Sequence, residues 1–157
     1  MLTESQKATN CDTFRHIERV RNLLNACAIE LLKRGELHDQ SKLESPEVEA
    51  FTEFTPKLAA CTYQSEEYKS FLAAMKPALD HHYANNRHHP EHFKRGVNDM
   101  NLLDIVEMLC DWKAASERHN DGNIRRSIEV NAIRFQMTEQ LTRILENTAD
   151  LLFGKNQ

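Results

Sequence analysis

The sequence is poor in glycine and proline, with four of each in 157 residues. Folds rich in β-sheet use these residues at their many turns, so their scarcity favours a helical chain. No apolar run approaches the roughly 20 residues that a membrane-spanning helix needs. The N-terminus also lacks the charged start and apolar stretch of a secretory leader. We therefore expect a cytoplasmic protein with no membrane partner.

An excess of positive charge is absent as well. The 20 lysines and arginines stand against 24 acidic residues, which gives a formal net charge of −4. Bulk nucleic-acid binding needs a basic surface, so we do not expect it here. The cysteines lie far apart and form no C-x-x-C pair, which predicts free, buried thiols in a reducing compartment. They are Cys11, Cys27, Cys61 and Cys110.

Apolar residues recur at three- and four-residue steps along most of the chain, which predicts an all-α fold. The length suits one domain, so we predict a single helical bundle of six or seven helices over residues 1–157. The expected helices span Thr13–Arg34 (N-cap Asp12, stop Gly35), Glu36–Lys42, a segment from Ser45-Pro46-Glu47, a segment from Ser65 with a kink or restart at Pro77, a turn from Pro90 to Gly96, Asn101–His119 with a stop at Asn120-Asp121-Gly122, and Ile124–Phe153.

Histidine is the residue that the chain does concentrate. The stretch LDHHYANNRHHPEH holds five of the eight histidines, namely His81, His82, His88, His89 and His92. Elsewhere His38 and Asp39 are adjacent, and His16 shares a helix face with apolar side chains. Each feature has an ordinary explanation by itself: an exposed dipeptide for His38-Asp39, and a hydrogen-bonded core histidine for His16.

Apart from the histidines, a cluster of acidic residues lies on the helix predicted from Asn101. Asp104, Glu107 and Asp111 occupy positions i, i+3 and i+7, and therefore one stripe. Such a stripe is commonly a solvated face. Combined with His16, with His38-Asp39 and with the histidine cluster, it gives imidazoles and carboxylates from at least four helices. A metal site in a helical bundle is assembled in this way.

These motifs resemble the HD-domain superfamily of metal-dependent phosphohydrolases, whose signature is H…HD…D on a helical fold. The segments HIERVRNLL, LHDQSKL and EMLCDWKAAS look like its three steps, and DHHYANNRHHPEH is similar to the paired-histidine insertion of the branch that hydrolyses cyclic dinucleotides. The resemblance covers most of residues 14 to 118. The chain has His88-His89-Pro90 where that branch has a glycine-tyrosine-proline motif, so its specificity is not implied. The combination of HDQSK, N-x-HHPEH and EMLCDW also resembles a small bacterial and phage family without an assigned reaction.

The resemblance implies a set of ligands for one or two divalent ions, such as Fe or Mn. His16, His38, Asp39 and Asp111 would hold the first ion, with Asp104 or Glu107 as alternatives to Asp111. His81 or His82, together with His88 or His89, would hold the second. Lys42, Arg87 and His92 are the candidate catalytic residues, which would contact a phosphate or donate a proton to the leaving oxygen.

The leading hypothesis is a phosphohydrolase that acts on a small phosphate ester of the nucleotide type. Two alternatives stay open: a di-iron oxygenase of the HD type, and a non-catalytic module that binds a nucleotide or a partner and keeps a structural metal. Apolar residues near the C-terminus (Leu151, Leu152, Phe153) permit a homodimer, although they could equally cover the protein's own core.

Overall fold

The structure, a computed structural model, describes residues 1–61, 65–118 and 122–154. These ranges contain helices and no strand, which confirms the all-helical prediction and its number of helices. The α-helices are α1 (Glu4–Leu37), α2 (Glu47–Ala60), α3 (Glu66–Asn85), α4 (Leu102–Ser116), α5 (Ile124–Arg134) and α6 (Glu139–Phe153). Three short 3₁₀ segments span Gln40–Leu43, Pro90–His92 and Gly96–Asp99.

The chain divides into two units, Met1–Leu37 and His38–Gln157. The first unit consists of α1 and the residues before it, and no residue within α1 is buried. The predicted start of this helix near Thr13 was wrong, because the helix begins nine residues earlier. Thr3 and Gln6 form a reciprocal cap there: the backbone N–H of Gln6 donates to Thr3 Oγ1, and that of Thr3 donates to Gln6 Oε1.

The predicted end of α1 was also wrong. Gly35 lies inside the helix, which continues to Leu37. A separate helix over Glu36–Lys42 does not form, because α1 takes up the first two of these residues and a 3₁₀ turn begins only at Gln40.

The second unit has its core between the last three α-helices. Side chains of α4, α5 and α6 form one buried cluster, and α2 packs against α3. Trp112 packs against the cluster and stacks on Phe135, with the two ring planes 5° apart. The buried members are Ile105, Met108, Leu109, Ile124, Ile128, Leu145 and Ala149.

Several predicted helix starts are confirmed. Ser65 caps α3, and its side chain accepts a hydrogen bond from the N–H of Tyr68. The Ser45-Pro46-Glu47 signal does precede α2, although Pro46 rather than Ser45 occupies the N-cap position. A 3₁₀ turn begins at Pro90 as predicted, but Gly96 begins the next 3₁₀ turn instead of ending this one.

Three predicted features of the longer helices differ from the structure. Pro77 neither stops nor restarts α3, which is one continuous helix. The tail is divided into α5 and α6, because Gln136 adopts a left-handed backbone (φ 51°) and Thr138 caps a new helix through the N–H of Leu141. The described part of α4 ends at Ser116; the predicted end at His119 and the stop signal at Asn120 and Asp121 lie outside the described residues.

None of the helices in the described ranges is both long and apolar enough to cross a lipid bilayer. All four cysteines are free of disulfides, as predicted. Their burial was not predicted correctly, since Cys11, Cys27 and Cys110 are exposed and Cys61 is only partly buried.

The core makes a direct prediction for stability. Ile128 is fully buried, so Ile128→Ala leaves a cavity and should lower the free energy of unfolding by about 2–5 kcal/mol. The matched control is Ile133→Ala on the same helix, where the side chain is 82% exposed and the expected change is within about 0.5 kcal/mol. Urea unfolding followed by circular dichroism measures both. Equal effects of the two substitutions would contradict this packing.

Candidate metal centre

The site begins where the second unit begins, at His38 and Asp39. Asp39 has a left-handed backbone, with φ 57° and ψ 13°. This conformation is unfavourable for most residues other than glycine, although Asp and Asn adopt it more readily. It directs two consecutive side chains to one place: His38 Nε2 lies 3.5 Å from Asp39 Oδ2. Residues that would diverge on a regular helix therefore converge here.

One set of imidazoles surrounds the Oδ1 atom of Asp39. His82 from α3 and His88 from the following turn place their Nε2 atoms 3.4 and 3.5 Å from Oδ1. His89 Nε2 lies 2.9 Å from His82 Nε2. Asp39, His82, His88 and His89 each offer a ligand atom, and these four atoms lie within 4.8 Å of one another.

A second set lies toward the Oδ2 atom of Asp39. His38 Nε2 is 3.7 Å from Asp111 Oδ1, which projects from α4. The ligand atoms of His38, Asp39, His88 and Asp111 again lie within 4.8 Å of one another. Each of the two groups could hold a metal ion, and both contain Asp39 and His88.

Two buried atoms of the site indicate that a cation fits. Asp39 Oδ1 and His88 Nε2 have no hydrogen-bond partner among the described residues, although both are shielded from solvent. Buried polar atoms normally have partners, and a carboxylate oxygen facing imidazole nitrogens is a typical ligand set for first-row divalent metals. The donor set is nitrogen and oxygen only, which suits such an ion.

Two acidic side chains lie behind the ligands. Glu107 Oε1 accepts a hydrogen bond from His38 Nδ1 at 2.9 Å and also lies 3.2 Å from His88 Nδ1, an ion-pair contact outside hydrogen-bond geometry. Glu47, which is fully buried, contacts the Nδ1 atoms of His81 and His82 at 2.7 and 2.8 Å. Carboxylates in this position hold ligating imidazoles in orientation.

The pKa values of the histidines differ between the two groups. Burial, with the neighbouring His88 and His82, lowers the pKa of His89 to about 3. Burial, with the Lys42 ammonium, lowers the pKa of His82 as well. The neighbouring carboxylates of Asp111 and Glu107 instead raise the pKa of His38 to about 10. Since ligation needs a neutral imidazole, a metal at His38 would displace a proton.

The acids of the site are ionised. Burial raises the pKa of Asp39, but the Lys42 ammonium outweighs it, and the resulting pKa is below the ordinary value. Burial also raises the pKa of Glu107 and of Asp111, but in both cases the contact with His38 outweighs burial, and the resulting pKa is below the ordinary value. These carboxylates can therefore bind a cation without first losing a proton.

Of the predicted ligands, six are brought together and two are not placed in either group. The six are His38, Asp39, His82, His88, His89 and Asp111. His81 contacts Glu47 instead. His16 is exposed on α1, and its role as a ligand stays a prediction.

The stripe of acids on α4 divides between different roles. Asp104, a predicted alternative ligand, is fully buried and accepts two hydrogen bonds from Arg87, at 3.1 and 3.0 Å. Its Oδ2 also accepts the N–H of Asn101, which completes a capping box. Asp104 therefore has a structural role, in which it holds Arg87 and caps α4. Asp111 faces the ligands, and Glu107 lies behind them.

The predicted catalytic residues have defined neighbours. Lys42 Nζ donates to Asp39 Oδ2 at 2.6 Å, which places its charge at the centre. Arg87 uses two of its nitrogens on Asp104. His92 Nδ1 donates to the carbonyl oxygen of Tyr83 at 2.8 Å and belongs to neither ligand group.

Glu47 is the residue that sequence reasoning missed. As an acid after Ser45-Pro46 it has the ordinary appearance of a first-turn residue that favours the helix dipole. Ser41, which also contacts His82, was missed as well. The contacts of Glu47 and Ser41 with His82 join residues 35 and 41 positions apart, and short-range spacing carries no signal for that. Asn86 also contacts His82, from four residues later, and it was missed too.

Residues 5–152 match a family of unknown function, DUF5662, and the chain belongs to this family. No curated protein and no solved structure matches the chain significantly.

If the groups hold a divalent ion, the ion stabilises the folded state by mass action, by about 2.7 kcal/mol at a free concentration of 100 times Kd. We expect Mn²⁺ to raise the thermal unfolding midpoint of the wild-type protein. His88→Gln, which removes a residue shared by both groups, should abolish most of this increase. His92→Gln is the control and should retain it. An undiminished increase in His88→Gln would exclude both groups as the site.

Proposed function

We propose that this DUF5662 chain is a metal-dependent phosphohydrolase that acts on a small phosphate ester, with nucleotides as the first class to examine. The phosphoryl chemistry and the nucleotide class rest on the resemblance of LHDQSKL and EMLCDWKAAS to HD-domain enzymes. The geometry supplies independent support for a metal centre of the kind that this chemistry requires.

The observation that carries the proposal is the position of the Asp39 carboxylate between two ligand groups. Its Oδ1 faces His82 and His88, and its Oδ2 faces His38. A carboxylate with a different ligand set at each oxygen can bridge two ions. We therefore propose two ions rather than one, with His82 and His89 on one side and His38 and Asp111 on the other.

Bound divalent ions supply Lewis-acid activation of water and neutralise charge on phosphoryl oxygens. The chain's own contribution is to hold the ligands ionised or neutral as required and to place positive charge nearby. Lys42 is the side chain best placed to contact a phosphate oxygen, because its ammonium already lies against Asp39 and is 33% exposed. An ammonium can move from the carboxylate to a phosphate without leaving the site.

Arg87 and His92 have smaller proposed parts. The guanidinium of Arg87 is engaged by Asp104, and the Nδ1 proton of His92 is engaged by a backbone carbonyl. Each retains nitrogen atoms that could contact a leaving oxygen, whereas Lys42 directly contacts Asp39, a member of both ligand groups.

The ligand chemistry also limits which metal ion is expected. Both groups combine imidazole with carboxylate, and neither includes a thiolate. Fe(II) and Mn(II) suit such sites, whereas structural zinc sites are rich in sulfur. The four free cysteines agree with a reducing, cytoplasmic compartment, which is part of the proposal.

The test is phosphate release from a panel of nucleoside monophosphates, diphosphates and p-nitrophenyl phosphate after loading with Mn²⁺ or, anaerobically, Fe²⁺. Asp39→Asn keeps a residue that accepts the left-handed backbone but removes the bridging charge. We expect kcat/KM to fall by roughly 10³-fold or more, since metal stabilisation of the transition state is worth several kcal/mol. Asp80→Asn, an exposed acid of α3 paired with Lys76, is the matched control and should change little. Phosphate release that is unchanged in Asp39→Asn would refute the assignment.

A second candidate, an iron oxygenase of the HD type, is favoured by one specific observation. Three imidazoles, those of His82, His88 and His89, converge near Asp39 Oδ1. A nitrogen-rich set of this kind also suits redox-active iron.

The oxygenase candidate predicts that iron-loaded protein develops a visible absorption band in air and consumes oxygen in the presence of its substrate. The proposed phosphohydrolase predicts instead that Mn²⁺, which does not support this chemistry, sustains turnover under argon. Comparing Mn²⁺-loaded protein under argon with Fe²⁺-loaded protein in air on the same substrate panel separates the two. Turnover that requires oxygen would displace the hydrolase in favour of the oxygenase.

A further inference from the structure

Glu47 is the most deeply buried acid that contacts a candidate ligand. Its side chain has no exposed surface, and its two oxygens contact two different imidazoles. Oε1 lies 2.7 Å from His81 Nδ1, and Oε2 lies 2.8 Å from His82 Nδ1. A buried carboxylate is costly unless donors satisfy it. An ionised carboxylate only accepts hydrogen bonds, so both Nδ1 atoms must carry their protons.

The surroundings of His82 agree with this tautomer. The amide nitrogen of Asn86 lies 3.0 Å from His82 Nδ1, and it also lies 2.8 Å from both Ser41 Oγ and the carbonyl oxygen of His82. The two hydrogens of that amide are used on the two oxygens, so Nδ1 need not accept from Asn86. The Nδ1 proton of His82 is free to go to Glu47.

With Nδ1 protonated, a neutral His82 presents a lone pair at Nε2. That atom lies 3.4 Å from Asp39 Oδ1 and 2.9 Å from His89 Nε2. We propose that Glu47 is a positioning residue, which fixes the tautomer and ring orientation of His82 so that Nε2 ligates the ion on the Oδ1 side of Asp39. This inference rests on the two-ion centre of the proposed function.

The same contacts give His81 a different role from the one predicted. Its Nδ1 atom donates to Glu47, and its side chain is 41% exposed. His81 therefore satisfies the second oxygen of Glu47, and it belongs to neither candidate ligand group. The adjacent histidines of the HH pair have separate functions: His82 faces the ion, and His81 faces the acid that orients His82.

Glu107 provides the comparison within the same centre. It contacts the Nδ1 atoms of His38 and His88, whereas Glu47 hydrogen-bonds His82 as its one partner within the two described ligand groups. Glu47 thus supports the Oδ1 side alone, whereas Glu107 supports His38 and also His88, which belongs to both groups. Their removal should empty the two positions differently.

The experiment is a titration of the metal-free full-length protein with Co²⁺ alone, whose visible bands report the ligands and the number of ions bound. Glu47→Gln replaces one of the two acceptor oxygens by an NH2 donor, so the side chain can accept a hydrogen bond at only one of the two positions. We expect affinity at one of the two positions to fall by about 10- to 100-fold, with the other position retained. His81→Gln is the matched control for the pair and should keep both ions. Glu107→Gln, by contrast, should weaken both positions, because Glu107 contacts His88, which belongs to both groups.

Two results would overturn the inference. One is binding of both ions by Glu47→Gln with wild-type affinity and spectrum. The other is loss of an ion in His81→Gln, which would make His81 the ligand. If Glu47→Gln does not fold, ¹⁵N nuclear magnetic resonance of the wild-type imidazoles decides: the inference requires His82 protonated at Nδ1 with Nε2 shifted on metal binding, and the opposite tautomer refutes it.

These readouts do not involve turnover. A two-ion centre with the expected response to Glu47→Gln but no phosphate release would remove the hydrolase and leave the positioning role intact. Phosphate release together with an unchanged metal titration in Glu47→Gln would support the hydrolase and refute the positioning role of Glu47.

Discussion

The left-handed backbone of Asp39 is the constraint on which the centre depends. A regular helix would separate the side chains of His38 and Asp39 by about 100°. The turn that follows α1 instead brings them together and sets the carboxylate between imidazoles from α3 and the turn after it. A backbone outside the common regions costs energy and is typically kept at functional sites. Asp meets both demands, because it tolerates this backbone and supplies two ligand oxygens.

Charge balance explains why the surrounding side chains are arranged in layers. Four acids, Glu47, Asp39, Glu107 and Asp111, lie near one another, and ionised acids repel and resist burial. Each is matched by a donor: Glu47 and Glu107 by imidazole Nδ1 atoms, Asp39 by Lys42, and Asp111 by His38. These pairings turn the Nε2 atoms of His38, His82 and His88 toward Asp39. The arrangement satisfies the outer acids and leaves the inner atoms, Asp39 Oδ1 and His88 Nε2, for a cation.

Much of this could be predicted from the sequence, because the responsible patterns are local. Apolar spacing predicts the helices, and the Ser65 cap predicts the start of α3. The combination of His38-Asp39, the histidine cluster and Asp111 predicts a metal centre. What could not be predicted depends on contacts between distant segments. The support of His82 by Glu47, 35 residues earlier, is such a contact. The division of α5 from α6 is a local exception, since it follows from the left-handed backbone of one residue, Gln136.

The stripe of acids on α4 illustrates how one helix can organise the whole site. Asp104 accepts from Arg87, which directly precedes His88 and His89, so the ion pair fixes the turn that carries two ligands to the start of α4. One turn later Glu107 contacts His88 and His38, and one turn further Asp111 reaches the ligand layer. The spacing i, i+3, i+7 thus does not supply three equivalent ligands. Asp104 anchors the preceding turn, Glu107 supports the imidazoles, and Asp111 is the candidate ligand. A shift of α4 by one residue would misalign all three.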